Sequence, residues 1–146
     1  MNGDVLTIML IEDNDDHAEL VTRSFQENRV ANNIIRISDG EEALDYLYKR
    51  GKFTNSSDYK VPNLILLDLR LPRVDGLEVL KNIKSSEKFR RVPVIILTSS
   101  EAEKDIAKSY DNYANSYLVK PLDFNKFTEM MNELGFYWLC WNKKPF

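Results

Sequence analysis

The stretch Leu64-Ile65-Leu66-Leu67-Asp68 places four apolar residues directly before a carboxylate. A short run that is apolar at every position, and not at alternate ones, is typical of a strand buried on both faces of a parallel sheet. Similar short runs occur at Leu6–Ile11, Asn33–Ile37, Val94–Leu97 and Tyr117–Val119, and amphipathic stretches separate them. This alternation predicts an α/β fold with a doubly wound five-stranded parallel sheet flanked by five helices.

Apolar residues recur at helical spacing after each predicted strand. These positions are Ala18, Val21 and Phe25; Ala43, Leu44 and Leu47; Leu77, Leu80 and Ile83; Ile106, Ala107 and Tyr110; and Phe124, Phe127, Met131 and Leu134. Asp39 is a candidate N-cap for the second helix. The polar segment Gly51–Lys60 is predicted to be a long loop before the third strand.

The composition indicates one ordinary globular domain in a reducing compartment. The 146 residues are 43% hydrophobic and 29% charged, with a formal net charge of −3. The single cysteine, Cys140, cannot form an internal disulfide, and the start of the chain has no basic, apolar signal segment. No basic stripe suggests nucleic-acid binding, and no apolar run is long enough for a membrane span. We therefore predict a cytoplasmic protein.

Polar side chains follow four of the five predicted strands. Glu12 and Asp13 follow the first strand, Asp68 the third, Thr98 the fourth and Lys120 the fifth. Each alone is better explained as a helix cap, a turn residue or a surface charge. Because the carboxyl ends of parallel strands share one edge, and ligands bind there near the switch point in strand order, the five together predict a site.

The charges of these side chains indicate the chemistry of the site. Three carboxylates close together repel one another and need a positive counter-charge. Their hard oxygen atoms suit Mg²⁺, which commonly binds one or two carboxylates together with water and phosphate oxygens. A lysine beside the metal would leave an anion position between two cations, and a carboxylate can accept a phosphoryl group there.

These motifs resemble the receiver domain of two-component response regulators, such as the chemotaxis protein CheY. The resemblance covers about Leu6 to Leu134. It is carried by Ile11-Glu12-Asp13, by Leu67-Asp68 with Pro72 and Asp75-Gly76, by Leu97-Thr98-Ser99 and by Lys120-Pro121. It implies the flavodoxin-like receiver fold and a phospho-acceptor switch that is not an enzyme. The implied phosphoryl donor is the phosphohistidine of a sensor histidine kinase.

The resemblance also implies a role for each site residue. Asp68 would accept the phosphoryl group. Asp13 and Asp68 would bind one Mg²⁺ directly together with the Arg70 carbonyl, and Glu12 would act through bound water. Lys120 would hold one phosphoryl oxygen.

Two further residues match the switch positions of the family, and one bond matches its cis peptide. Thr98 would bind a second phosphoryl oxygen after phosphorylation, and Tyr117 would turn inward as Thr98 moves. A half-buried strand aromatic is the alternative for Tyr117. The Lys120–Pro121 bond is expected to be cis. His17, the only histidine, is predicted to be a solvated helix residue.

The last residues are unusual for a minimal receiver, which would end near Leu134. We therefore divide the chain into a receiver domain, residues 1–134, and an aromatic extension, residues 135–146. The extension contains Phe136, Tyr137, Trp138, Trp141 and Phe146, residue types that are enriched in interfaces. The extension and the long loop resemble the single-domain phytochrome-associated response regulators. This implies a homodimer through the last helices and the extension, and a bacterial phytochrome as the kinase.

Other functions fit the sequence less well. A Mg²⁺-dependent phosphatase with an aspartyl nucleophile typically carries DxD, whereas Asp68 is followed by Leu69-Arg70. A receiver-like interaction module that has lost phosphorylation would not need the intact acids and lysine. GxGxxG and GK[ST] loops are absent, which argues against nucleotide binding, and no residues remain for a DNA-binding output domain.

Overall fold

The computed structural model describes residues 6–27, 32–110 and 116–133. Strands and α-helices alternate along this part of the chain, with one short 3-10 helix before the third strand. In chain order they are β1 (Leu6–Ile11), α1 (Asp15–Glu27), β2 (Asn32–Ile37), α2 (Gly40–Leu47), the 3-10 helix (Gly51–Phe53), β3 (Leu64–Asp68), α3 (Gly76–Ser85), β4 (Val94–Thr98), α4 (Glu101–Tyr110), β5 (Ser116–Val119) and α5 (Phe124–Glu133).

The five strands form one parallel sheet in the order β2-β1-β3-β4-β5. This confirms the predicted doubly wound fold. The strand order reverses between β1 and β3, and their carboxyl ends therefore border the crevice where such folds bind ligands. In register, Ile11 lies beside Leu67 and Asp68 lies beside Leu97. The residues that follow these strands consequently share one edge of the sheet.

The buried apolar strand residues pack into two cores, because side chains alternate between the faces of a sheet. Ile65 and Leu67 belong to the core shared with α2, α3 and α4, whereas Leu64 and Leu66 belong to the core shared with α1 and α5. All five residues of β3 are buried, as the uninterrupted apolar run predicts. The middle strand, β3, therefore lies between two layers of helices.

Helix α4 departs from the prediction for its apolar face. Ala107 is buried, but Ile106 and Tyr110 are 61% and 73% exposed. Only one of the three predicted contact positions therefore faces the sheet in the way that helical spacing suggests. The short apolar stripe of α4 is too narrow to bury three residues against β4 and β5, and the two larger side chains lie on its outer surface.

The segment Gly51–Lys60 is a loop, as predicted, apart from one short 3-10 helix. It begins with the 3-10 helix and is fastened by the buried Tyr46. The Tyr46 hydroxyl donates to the Lys60 carbonyl at 2.8 Å and accepts from the Lys60 N–H at 3.1 Å. The Tyr46 ring also lies 4.9 Å, centroid to centroid, from that of Tyr59. This paired hydrogen bonding anchors the segment to α2.

Some sequence predictions concern residues that the structure does not describe. The aromatic extension and the domain boundary at residue 134 both lie outside the described ranges. Within those ranges, none of the helices combines the length and the apolarity needed to cross a membrane.

Candidate phosphoryl-acceptor site

The five predicted polar residues lie along the carboxyl edge of the sheet. Carboxylate oxygens of Glu12, Asp13 and Asp68 all lie within 4.8 Å of one another. The Nζ atom of Lys120 lies 2.8 Å from Glu12 Oε1 and 3.0 Å from Asp68 Oδ1. Thr98 ends the strand that pairs with β3. The structure therefore brings the acids and the lysine together, as the strand ends predict.

The acid cluster is buried on one side and open on the other. Glu12 is fully buried and Asp68 is 6% exposed, whereas Asp13 lies on the surface. Glu12 Oε2 accepts a hydrogen bond from the Asn14 N–H at 3.2 Å. Among the described residues, Glu12 Oε1 has no polar contact besides the lysine ammonium. A ligand can thus approach Asp13 and Asp68 from solvent while Glu12 stays inside.

This environment raises the pKa of Asp68 from 3.8 to about 6. Burial is the main cause, and the nearby Glu12 carboxylate adds to it. The Lys120 ammonium lowers the pKa but does not outweigh these effects, and Asp13 raises it slightly further. At neutral pH the Asp68 carboxylate is mostly ionised, and the charges of Glu12 and Asp13 repel it. A second cation at the cluster would therefore stabilise the ionised form.

Lys120 remains a charged ammonium in this site. Burial lowers its pKa, but the hydrogen bonds to Glu12 and Asp68 outweigh that cost and leave the pKa above its ordinary value. The Lys120 N–H also donates to the Thr98 carbonyl at 2.7 Å, which fixes the lysine main chain beside β4. The Lys120–Pro121 peptide bond is cis, as expected.

Thr98 and Tyr117 are both buried in this structure. The Thr98 side chain is fully enclosed, and its hydroxyl donates to the Ser100 carbonyl at 3.3 Å. Tyr117 is 7% exposed and packs in the same core as Ala107 of α4. The hydroxyl of Thr98 is therefore engaged by the loop before α4. The switch roles of both residues stay predictions.

The motif Asp75-Gly76 has a steric explanation. The Gly76 N–H donates to the Leu69 carbonyl at 3.1 Å, which brings the start of α3 against the end of β3. A Cβ atom on Gly76 would lie 2.4 Å from the Asp68 carbonyl oxygen, closer than atoms approach in proteins. Only glycine fits there without moving the main chain of Asp68.

One residue that sequence reasoning missed is Glu103, which ties the loop after β4 to the loop after β3. Its carboxylate forms an ion pair with the Arg70 side chain and accepts from the Ser99 N–H at 2.7 Å. Burial raises the pKa of Glu103, but these hydrogen bonds outweigh it and lower the pKa overall. The sequence signal was the capping pattern Ser100-x-x-Glu103, in which Ser100 Oγ accepts from the Glu103 N–H at 3.1 Å.

His17 is an exposed residue of α1, as predicted, and it also contacts the site. Its Nδ1 atom lies 3.2 Å from Lys120 Nζ and 3.9 Å from Glu12 Oε2. The reason is geometric, because side chains in the first turn of a helix tilt toward its N-terminus, here the carboxyl edge of the sheet.

Comparison with known proteins agrees with this architecture. The family model described as response regulator receiver domain matches residues 8–132. The chain is 43% identical over 150 residues to the probable methanogenesis regulatory protein FilR2 of Methanothrix harundinacea, covering 99% of this chain and 94% of that protein. It is 36% identical over 132 residues to response regulator Rcp1 of Synechocystis, covering 90% and 88%.

Solved structures give the same result. The bacteriophytochrome response regulator AtBRR has a TM-score of 0.86 and 41% identity, covering 96% of this chain and 99% of that chain. The Mn²⁺-bound form of Rcp1 has a TM-score of 0.71 and 35% identity, covering 97% and 99%. These similarities support the phytochrome-associated subgroup. The chain therefore belongs to the response regulator receiver domain family.

Proposed function

We propose that this receiver domain is a phosphorylation switch whose acceptor is Asp68. The phosphoryl group would come from the phosphohistidine of a sensor histidine kinase, as in two-component signalling. The observation that carries the proposal is the Lys120 ammonium 3.0 Å from Asp68 Oδ1, inside a cluster of three carboxylates. This arrangement presents a nucleophilic oxygen and a fixed cation to an incoming phosphoryl group.

The transfer requires little covalent chemistry from the protein. An oxygen of the ionised Asp68 carboxylate forms a bond to phosphorus while the phosphorus–nitrogen bond to the kinase imidazole breaks. The electron pair of that bond returns to the imidazole nitrogen. Lys120 then neutralises one phosphoryl oxygen, which removes part of the charge that the extra group brings to the buried site.

The donor set at the cluster fits one Mg²⁺. The oxygens of Asp13 and Asp68 are hard ligands of the kind that this ion binds, and Glu12 would hold its coordinated water. The Arg70 carbonyl would complete the protein ligands. When bound, the ion supplies positive charge to the transferring phosphoryl oxygens. The Mn²⁺-bound form of the related Rcp1 supports a divalent-cation site of this kind.

The switch would work by a shift in population between two conformations. Phosphorylation offers the Thr98 hydroxyl an anionic acceptor in place of the Ser100 carbonyl. Moving Thr98 changes the space beside Tyr117 and the loop before α4. The face formed by α4, β5 and α5 would report the change. The chain would thus act as a switch and not as an enzyme, apart from losing its own phosphoryl group.

The partners follow from the family and from the sequence. This chain would act in the cytoplasm, its phosphoryl donor would be a sensor histidine kinase, and the similarity to bacteriophytochrome response regulators favours a bacterial phytochrome. A homodimer would form through the last helices and the aromatic extension. Equilibrium sedimentation at micromolar concentration should give twice the chain mass, and a monomer both with and without phosphorylation would contradict the dimer.

The central test is chemical phosphorylation. Incubation with acetyl phosphate and Mg²⁺ should add the mass of one phosphoryl group, and Asp68→Asn should abolish the addition. Asp16→Asn is the matched control, because Asp16 is an exposed acid on α1 outside the cluster, and it should phosphorylate normally. An unchanged wild-type mass would contradict the proposal and favour an interaction module without phosphorylation.

A further inference from the structure

Three polar side-chain atoms surround the Lys120 ammonium in this structure. Its Nζ atom lies 2.8 Å from Glu12 Oε1, 3.0 Å from Asp68 Oδ1 and 3.2 Å from His17 Nδ1. An ammonium has three N–H donors and no acceptor. Two of these contacts are ion pairs with carboxylates and the third is the contact with His17, so a phosphoryl oxygen can reach the ammonium only when one of the three is given up.

The contact with His17 defines the state of its ring. Because an ammonium can only donate, Nδ1 must accept the hydrogen bond, and the proton of the neutral imidazole then sits on Nε2. The His17 side chain is 46% exposed, whereas that of Glu12 is 1% exposed and that of Asp68 is 9% exposed. His17 is thus the only uncharged acceptor of the three and the one best able to exchange with water.

We propose that His17 is a positioning residue for Lys120: it occupies the third N–H of the ammonium before phosphorylation and releases it to a phosphoryl oxygen afterwards. This inference rests on the proposed function of Asp68. The two buried carboxylates hold the ammonium in place, since hydrogen bonds to charged groups are the stronger ones. On phosphorylation the ammonium exchanges a neutral acceptor for an anionic one. The free energy of this exchange contributes to the affinity of the site for a phosphoryl group.

Two variants of His17 separate this role from simple packing. His17→Leu keeps apolar bulk and removes the acceptor, whereas His17→Gln retains an acceptor oxygen. The probe is beryllofluoride, a phosphoryl mimic, with its Kd measured by calorimetry in the presence of Mg²⁺. Removing the competing acceptor should tighten binding in His17→Leu by roughly threefold, as expected for a single half-exposed hydrogen bond. His17→Gln should bind like the wild type.

A second measurement tests the contact without any phosphoryl mimic. His17 is the only histidine in the chain, so its imidazole nitrogen signals in ¹⁵N NMR are unambiguous once any purification tag is removed. At about pH 8, where free imidazole is neutral, the Nδ1 signal should be that of a hydrogen-bonded acceptor. It should move toward the value of free imidazole in Lys120→Met, and in the wild type when beryllofluoride is added.

The outcomes distinguish the two proposals. If the wild type fails to bind beryllofluoride, the proposed function of Asp68 fails, while the NMR comparison with Lys120→Met still tests the contact. An identical Nδ1 signal in the wild type and Lys120→Met overturns the His17 inference. So does equal or weaker beryllofluoride binding in His17→Leu while the wild type binds normally.

Discussion

Asp68→Asn should stabilise the metal-free protein at neutral and alkaline pH. The pKa of Asp68 is raised from 3.8 to about 6, so the folded state holds a proton on this group more tightly than the unfolded chain does. The protonated carboxyl is tolerated in the folded state, and the cost appears as the pH rises and the group ionises. Asparagine has nearly the same shape and never ionises, so it avoids that cost.

The size of the effect follows from the two pKa values. Each pH unit between them is worth about 1.4 kcal/mol, so the difference between 3.8 and about 6 corresponds to about 3 kcal/mol at pH values well above 6. Part of this cost is already present at pH 5, where the unfolded chain is ionised and the folded site is not. Linkage then gives a further growth of about 1.5 kcal/mol between pH 5 and pH 8.

The assay is urea unfolding of the wild type and Asp68→Asn at several pH values in the presence of a chelator. The free energy of unfolding of the variant should exceed that of the wild type, and the excess should grow with pH. Asp16→Asn controls for the loss of one negative charge on the surface and should show little pH-dependent difference. A difference that stays constant or shrinks between pH 5 and pH 8 would refute the reasoning about the Asp68 environment.

Three more predictions follow from the contacts described. Mg²⁺ at about one hundred times its Kd should raise the free energy of unfolding of the wild type by about 2.7 kcal/mol. In thermal melts, Mg²⁺ should raise the melting temperature of Asp13→Asn less than that of the wild type. Glu103→Ala should destabilise the protein by about 1 kcal/mol, because a main-chain N–H loses its acceptor, whereas Arg70→Ala at the exposed end of the ion pair should change unfolding little. Tyr46→Phe should cost about 1 kcal/mol and speed hydrogen exchange at the Lys60 N–H, which loses its partner; unchanged exchange there would contradict the anchoring of the segment.

The arrangement of the sheet and most of the site could be predicted from the sequence. The run ending in Asp68 is apolar at every position, which indicates burial on both faces and so a central parallel strand. In a parallel sheet, the residues that follow the strands necessarily share an edge. For this reason the meeting of Asp68 with Glu12 and Lys120 required no knowledge of side-chain conformations.

Tertiary structure alone decided the contacts made by helix residues. His17 reaches Lys120 only because α1 starts at Asp15 and points its first turn at the sheet edge. Glu103 shows the same dependence, since its carboxylate binds Ser99 and Arg70 from two different loops. Periodicity identifies which face of a helix is apolar, but it does not state how a helix is positioned against its neighbours. Local burial indicates which strands lie inside the sheet, whereas these polar contacts depend on distances between elements far apart in the chain.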